Sequence, residues 1–131
     1  MSALTILFAA IAPFVLFFIE TILPYPAFLE EVVKFGLVLR IPANLSLRQK
    51  LAFAACIGLI FSITESVLYT FNIYPTLNTN SLLLRFLLPI LMHTLTSVIM
   101  LLFISWNKKL APLGLVIAVF THYLFNKSLS L

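Results

Sequence analysis

LAFAACIGLIFSITESVLYTFNIY, residues 51–74, holds one charged side chain, Glu65, in an otherwise apolar run. A membrane-crossing helix needs about 20 predominantly apolar residues, and this stretch exceeds that. Its polar residues are not scattered. Ser62, Glu65, Ser66, Tyr69 and Thr70 recur with helical periodicity, so one face of the helix is polar and the rest greasy. Such a face cannot rest against lipid. It must turn toward other helices or a water-filled cavity.

The rest of the chain reads the same way. It is 63% hydrophobic and 9% charged, with mean hydropathy +1.17. A soluble domain carries about 25% charged residues, so this chain cannot cover a water-facing surface and is an integral membrane protein. Four further runs flank the first: residues 3–23, ended by Pro24-Tyr25-Pro26; 27–41, ended by Arg40 and Pro42; 82–105, closed by WNKK; and 110–127. The expected fold is all-α, a single transmembrane bundle of about five helices over residues 1–131. Polar ANLSLRQK and turn-rich PTLNTNS are read as loops. The first run has no basic leader and is too long for a signal-peptide core, so it reads as a retained helix.

The net charge of +4 does not point to nucleic acid. Basic residues cluster at the ends of runs, as topology signals do. Arg40, Arg48, Lys50, Lys108 and Lys109 mark one side; Arg85 and Lys127 mark the other. That bias places the N-terminus in the cytoplasm, with a prokaryotic plasma membrane as the expected location. Trp106 beside the lysines reads as an interface anchor. Glu20, near the outer end of the first run, reads as interfacial. Cys56 stands alone in an apolar run and is read as packing.

The second run, PAFLEEVVKFG at residues 26–36, is the most unusual, because it puts Glu30, Glu31 and Lys34 into a short helix. At about 1.5 Å per residue this helix spans roughly 22 Å, less than the ~30 Å hydrocarbon layer. Counting from the basic ends puts Glu31 about 14 Å, Glu65 about 21 Å, and His93 and His122 about 18 Å deep. Four helices therefore bring ionisable groups to one layer. Glu30 and Lys34, Phe61 and Glu65, His93 and Ser97, and His122 and Asn126 are each four residues apart, on one helix face. Gly114 and Ala118, behind His122, allow close helix approach. Each intramembrane charge costs about 2.5–3.5 kcal/mol, too much for packing alone, so the layer reads as a functional site.

EEVVK, FSITE, HTLTS and HYLFN together resemble the EExxK, FxxxE, HxxxS/T and HxxxD/N motifs of the PrsW family, in the same order on consecutive helices. These are glutamic-type intramembrane proteases related to the type II CAAX prenyl proteases. The relatives' EExxxR and FxxxH are not matched, since Phe35 and Glu65 occupy the arginine and histidine positions. The resemblance covers residues 30–126 and implies a peptidase acting on a membrane-anchored protein, such as an anti-sigma factor or another regulator. It implies Glu30 as general base on water and Glu31 paired with Lys34, with these two glutamates able to exchange roles. Glu65 becomes a second acid–base group, His93 and His122 polarise the carbonyl or hold the water, and Asn126 orients His122 or serves the oxyanion. Phe61 and Ser97 are supporting residues. Two glutamates and two histidines suit zinc, yet HExxH is missing and Lys34 disfavours a cation, so no cofactor is expected. Two competing functions share the pattern. A proton or ion carrier would string the groups along the membrane normal, and a silent scaffold would leave them apart. A protease needs them around one cavity.

Overall fold

The computed structural model describes the backbone of residues 3–73 and 79–129 and the side chains of 3–70 and 86–129. Among these residues all regular structure is helical: α1 (Ala3–Glu20), α2 (Pro26–Val38), α3 (Leu47–Ile73), α4 (Thr79–Trp106) and α5 (Ala111–Leu129), with a 3₁₀ turn at Lys108–Leu110 before α5. Four helices are long and apolar enough to cross a membrane; α2 is not among them.

Local chemistry sets the boundaries and moves several from their expected positions. α1 stops at Glu20, not residue 23, because the amides of Ile22 and Leu23 both fold back onto the Ile19 carbonyl. Pro26 opens α2 at its first position, where a missing N–H costs nothing. α2 ends at Val38 rather than 41, in tight turns from Arg40 to Leu37 and Ile41 to Val38. α3 begins four residues before the expected start. Ser46 and Gln49 form a reciprocal cap, the Gln49 amide donating to Ser46 Oγ (3.3 Å) and the Ser46 amide to Gln49 Oε1 (2.9 Å). Half of the ANLSLRQK segment is thus helical. α4 starts at Thr79, so the end of PTLNTNS is helix; the rest of that expected turn lies outside the described residues. Asn107 Oδ1 accepts from the Lys109 amide and caps the 3₁₀ turn.

α2 is the hub: it packs against each of the other four helices. Its buried residues are Ala27, Glu30, Glu31, Lys34, Leu37 and Val38, a three-and-four spacing that defines one stripe. Phe28 and Val32 lie outside on the opposite face. The helix is inverted relative to a soluble one, with charge inside and hydrocarbon outside. That is the pattern lipid demands, provided the neighbours satisfy the charges.

The neighbours come close enough because key positions are small. A Cβ at Gly58 on α3 would collide with the His93 carbonyl oxygen and sit 2.7 Å from Thr94 Cα, so the α3 and α4 backbones nearly touch at His93. On α5, Gly114 and Ala118 are buried as expected, with α4 residues Met100 and Phe103 against Gly114. Below the charged layer, Leu37, Val38, Ala54, Ile57, Met100, Leu101 and Ala118 form the apolar core, with Ala9 from α1.

Candidate active site

Lys34 is entirely buried, and its ammonium group is the hinge of the site. It donates to Glu31 Oε1 (2.6 Å), His93 Nδ1 (2.6 Å) and Thr96 Oγ1 (3.1 Å), which uses all three of its protons. The Phe61 ring lies 5.4 Å from Nζ on a further side. Glu31 Oε1 is also the partner of His122 Nδ1 (2.8 Å). One carboxylate oxygen thereby neutralises Lys34 and ties α5 to α2, while Thr96 ties in α4.

These bonds fix the two imidazoles in opposite senses. An ammonium can only donate, so His93 Nδ1 accepts and its ring proton sits on Nε2. The Glu31 carboxylate accepts, so His122 carries its proton on Nδ1 and leaves Nε2 as an acceptor. Both Nε2 atoms face Glu30, each 3.8 Å from its Oε2, and the two rings meet edge to face at 4.8 Å. Glu65 Oε2 lies 2.5 Å from His93 Nε2, outside hydrogen-bond geometry, which puts the carboxyl group directly beside the imidazole. Glu30 Oε2, Glu65 Oε2 and His93 Nε2 are buried atoms without a hydrogen-bond partner. Buried polar atoms are seldom left so. Their grouping marks where a water or a substrate atom belongs.

The structure thus brings Glu30, Glu31, Lys34, Phe61, Glu65, His93 and His122 together, from α2, α3, α4 and α5. The Phe61 ring packs on His93 at 5.5 Å. Asn126 does not join them. The buried stripe of α5 ends at His122, Asn126 is exposed one turn later, and Glu31 does the orienting assigned to it. Ser97 is buried, but the α4 hydroxyl bonded to Lys34 is that of Thr96. Thr96 went unread, although HTLTS places it three residues after His93, on the same face.

Glu20 also departs from expectation. It ends α1, yet its side chain lies with those of Glu30 and Glu65 around one small cleft. That cleft, between α1 and α3, has room for about one water. Its lining includes Leu16, Phe17 and Glu20 from α1, Glu30 from α2, and Glu65 and Tyr69 from α3.

One oxygen of Glu30 and one ring nitrogen each of His93 and His122 lie within 4.8 Å of one another. A tetrahedral zinc site separates such donors by about 3.4 Å and uses the same two-histidine, one-carboxylate set in catalysis. His122 Nδ1 on a carboxylate is the usual outer support for a ligating histidine. Donor types and convergence therefore fit a divalent cation. The proton that Lys34 keeps on His93 Nε2 would have to leave for that nitrogen to bind.

A protein-family model described as PrsW family intramembrane metalloprotease matches residues 8–131. No curated protein and no solved structure matches the chain.

Proposed function

The chain belongs to the PrsW family of intramembrane proteases, and on that premise we propose that it hydrolyses a peptide bond of a membrane-anchored protein with Glu30 as the general base. The observation that carries this reading is the placement of Glu30 Oε2 at 3.8 Å from both imidazole Nε2 atoms, one a donor and the other an acceptor.

Each step then has an atom to perform it. A water between Glu30 and His122 gives one proton to the Glu30 carboxylate and directs the other at His122 Nε2. Its oxygen attacks the scissile carbonyl carbon. The carbonyl oxygen, becoming an oxyanion, takes a hydrogen bond from His93 Nε2–H, a donor already aimed before the charge develops. Glu30 passes its proton to the amide nitrogen as the C–N bond breaks, leaving a carboxylic acid and an amine. Glu65 is the second acid–base group, beside His93. Glu31 and Lys34 perform no transfer; they hold the two histidines in opposite tautomers. The glutamates of EEVVK are thus unequal: Glu31 Oε1 is bonded on several sides, whereas Glu30 Oε2 is free.

The family's description as metalloproteases and the Glu30–His93–His122 convergence favour a second reading. A divalent cation held by those three would supply Lewis-acid polarisation of water and carbonyl. The test uses full-length protein in lipid vesicles with a quenched-fluorescence apolar peptide, before and after 1,10-phenanthroline. Glu30→Gln is expected to lower kcat at least about 100-fold, while chelation leaves the wild-type rate unchanged. Loss on chelation, restored by added zinc, would replace the glutamate-base reading with the metal one. A Glu30→Gln variant that cleaves normally would sink both.

A further inference from the structure

Five of the eight basic residues, Arg40, Arg48, Lys50, Lys108 and Lys109, lie around the α2–α3 and α4–α5 connections, at one end of the bundle. No acidic side chain answers them there. All four acids stand elsewhere: Glu30, Glu31 and Glu65 in the buried layer, and Glu20 at the cleft beside it. Between the start of α3 and the end of α4 this basic end holds a hollow of about 600 Å³. Small-ligand sites span about 300–1,000 Å³, so it has room for a guest. Its lining has two characters. Leu47, Leu102, Phe103 and Trp106 are apolar, whereas Lys50 and Ser105 are polar. Lys50 is half-buried, yet among the described residues its side chain has no hydrogen-bond or ion-pair partner. Leu102 lies one helical turn, about 6 Å, from Trp106 toward the middle of α4. The apolar wall therefore runs inward from the charged rim.

We propose that this hollow binds one anionic phospholipid, with Lys50 and Ser105 on the headgroup phosphate and Leu47, Leu102, Phe103 and Trp106 along the upper acyl chain. The charge balance selects the lipid class. A zwitterionic headgroup brings its own cation, which meets no carboxylate at this end, whereas an anionic one meets only lysines and arginines. A free phosphate would leave the apolar wall bare, and a purely apolar guest would leave Lys50 unpaired. A phospholipid satisfies both halves of the lining at once. The site does not depend on the protease reading, since Lys50 lies 15 residues, or about 22 Å of helix, from Glu65.

Trp106 is the only tryptophan and stands in the hollow, so its fluorescence reads the site directly. The full chain is placed in vesicles of phosphatidylcholine and phosphatidylglycerol, with brominated acyl chains on one lipid or the other. Bromine quenches tryptophan only near contact. At equal mole fraction, brominated phosphatidylglycerol is expected to associate with Trp106 about fivefold more than brominated phosphatidylcholine, the effect of one lysine on an anionic headgroup. Lys50→Gln should bring that ratio close to one. Arg40→Gln makes the same charge change at the same end but outside the hollow, and should keep the ratio. Millimolar inorganic phosphate should not reduce it. Equal quenching by the two lipids in the wild type would leave the hollow to another occupant and overturn the proposal. Equal losses in Lys50→Gln and Arg40→Gln would reduce it to the diffuse attraction of a basic surface, with no site. Displacement by inorganic phosphate would make it an anion site and overturn the lipid assignment.

Discussion

Lys34 shows what a single buried charge does in this chain. It is fully enclosed, yet each of its protons has an acceptor, and one acceptor is a carboxylate at 2.6 Å. Removing one member of such a pair leaves an uncompensated charge in an apolar medium, which costs about 3–5 kcal/mol. Lys34→Met should therefore lower resistance to unfolding in detergent by that amount. Glu31→Gln combined with Lys34→Met should recover most of it, since both charges have gone. Proteolysis should stay lost in the double variant, because His93 Nδ1 no longer accepts from an ammonium and its proton is free to leave Nε2. Recovered activity would show that the tautomer does not matter. At this scale the sequence was readable where a contact follows helix spacing: Glu31 and Lys34 are one turn apart and pair. It was unreadable where the contact crosses between helices. Which hydroxyl of HTLTS meets Lys34 depends on the rotation of α4 about its axis, and it is that of Thr96.

At the scale of elements, the separation between α3 and α4 sets the position of His93. Gly58 permits it, because a methyl group there would overlap the His93 carbonyl. The collision is with backbone, which cannot rotate away as a side chain can. Gly58→Ala should force the helices apart, lowering the unfolding midpoint and reducing proteolysis at least about 10-fold through a misplaced His93. Gly36→Ala is the internal control. Nothing lies within 4 Å of its added carbon, and replacing a mid-helix glycine stabilises by up to about 1 kcal/mol. Equal behaviour of the two variants would mean that the close approach does not govern the site. Element positions were largely legible, because long apolar runs leave few alternatives. The ends were less so. Ser46 and Gln49 look like loop residues until their reciprocal cap is recognised, and Asn126 keeps the four-residue spacing after the buried stripe of α5 has ended. Glu20 could not be placed from α1 alone, since its neighbours come from α2 and α3.

For the whole molecule, the decisive fact is that α2 is too short to cross alone yet sits among four helices that are long enough. Its 13 residues give about 20 Å of helix against a ~30 Å hydrocarbon layer. Its charged stripe is enclosed by protein, with Lys34 and Glu31 Oε1 bonded to their neighbours, so a membrane helix that carries two glutamates and a lysine is tolerated without lipid contact. The basic segments lie together: Lys50, at the start of α3, and Trp106, at the end of α4, line one hollow, with Lys108 and Lys109 following directly. A common basic end is what the positive-inside bias acts upon. If that end is cytoplasmic, Ser46→Cys and Asn107→Cys, each in a Cys56→Ala background, should resist a membrane-impermeant maleimide applied to intact cells and react after permeabilisation. Thr21→Cys, in the turn after α1, should react in intact cells. The cleft beside Glu20 would then open toward the outer half of the bilayer, and a substrate would present its scissile bond from that side. The reverse labelling would put the cleft on the cytoplasmic side and move the substrate with it, while leaving the chemistry of Glu30 unchanged.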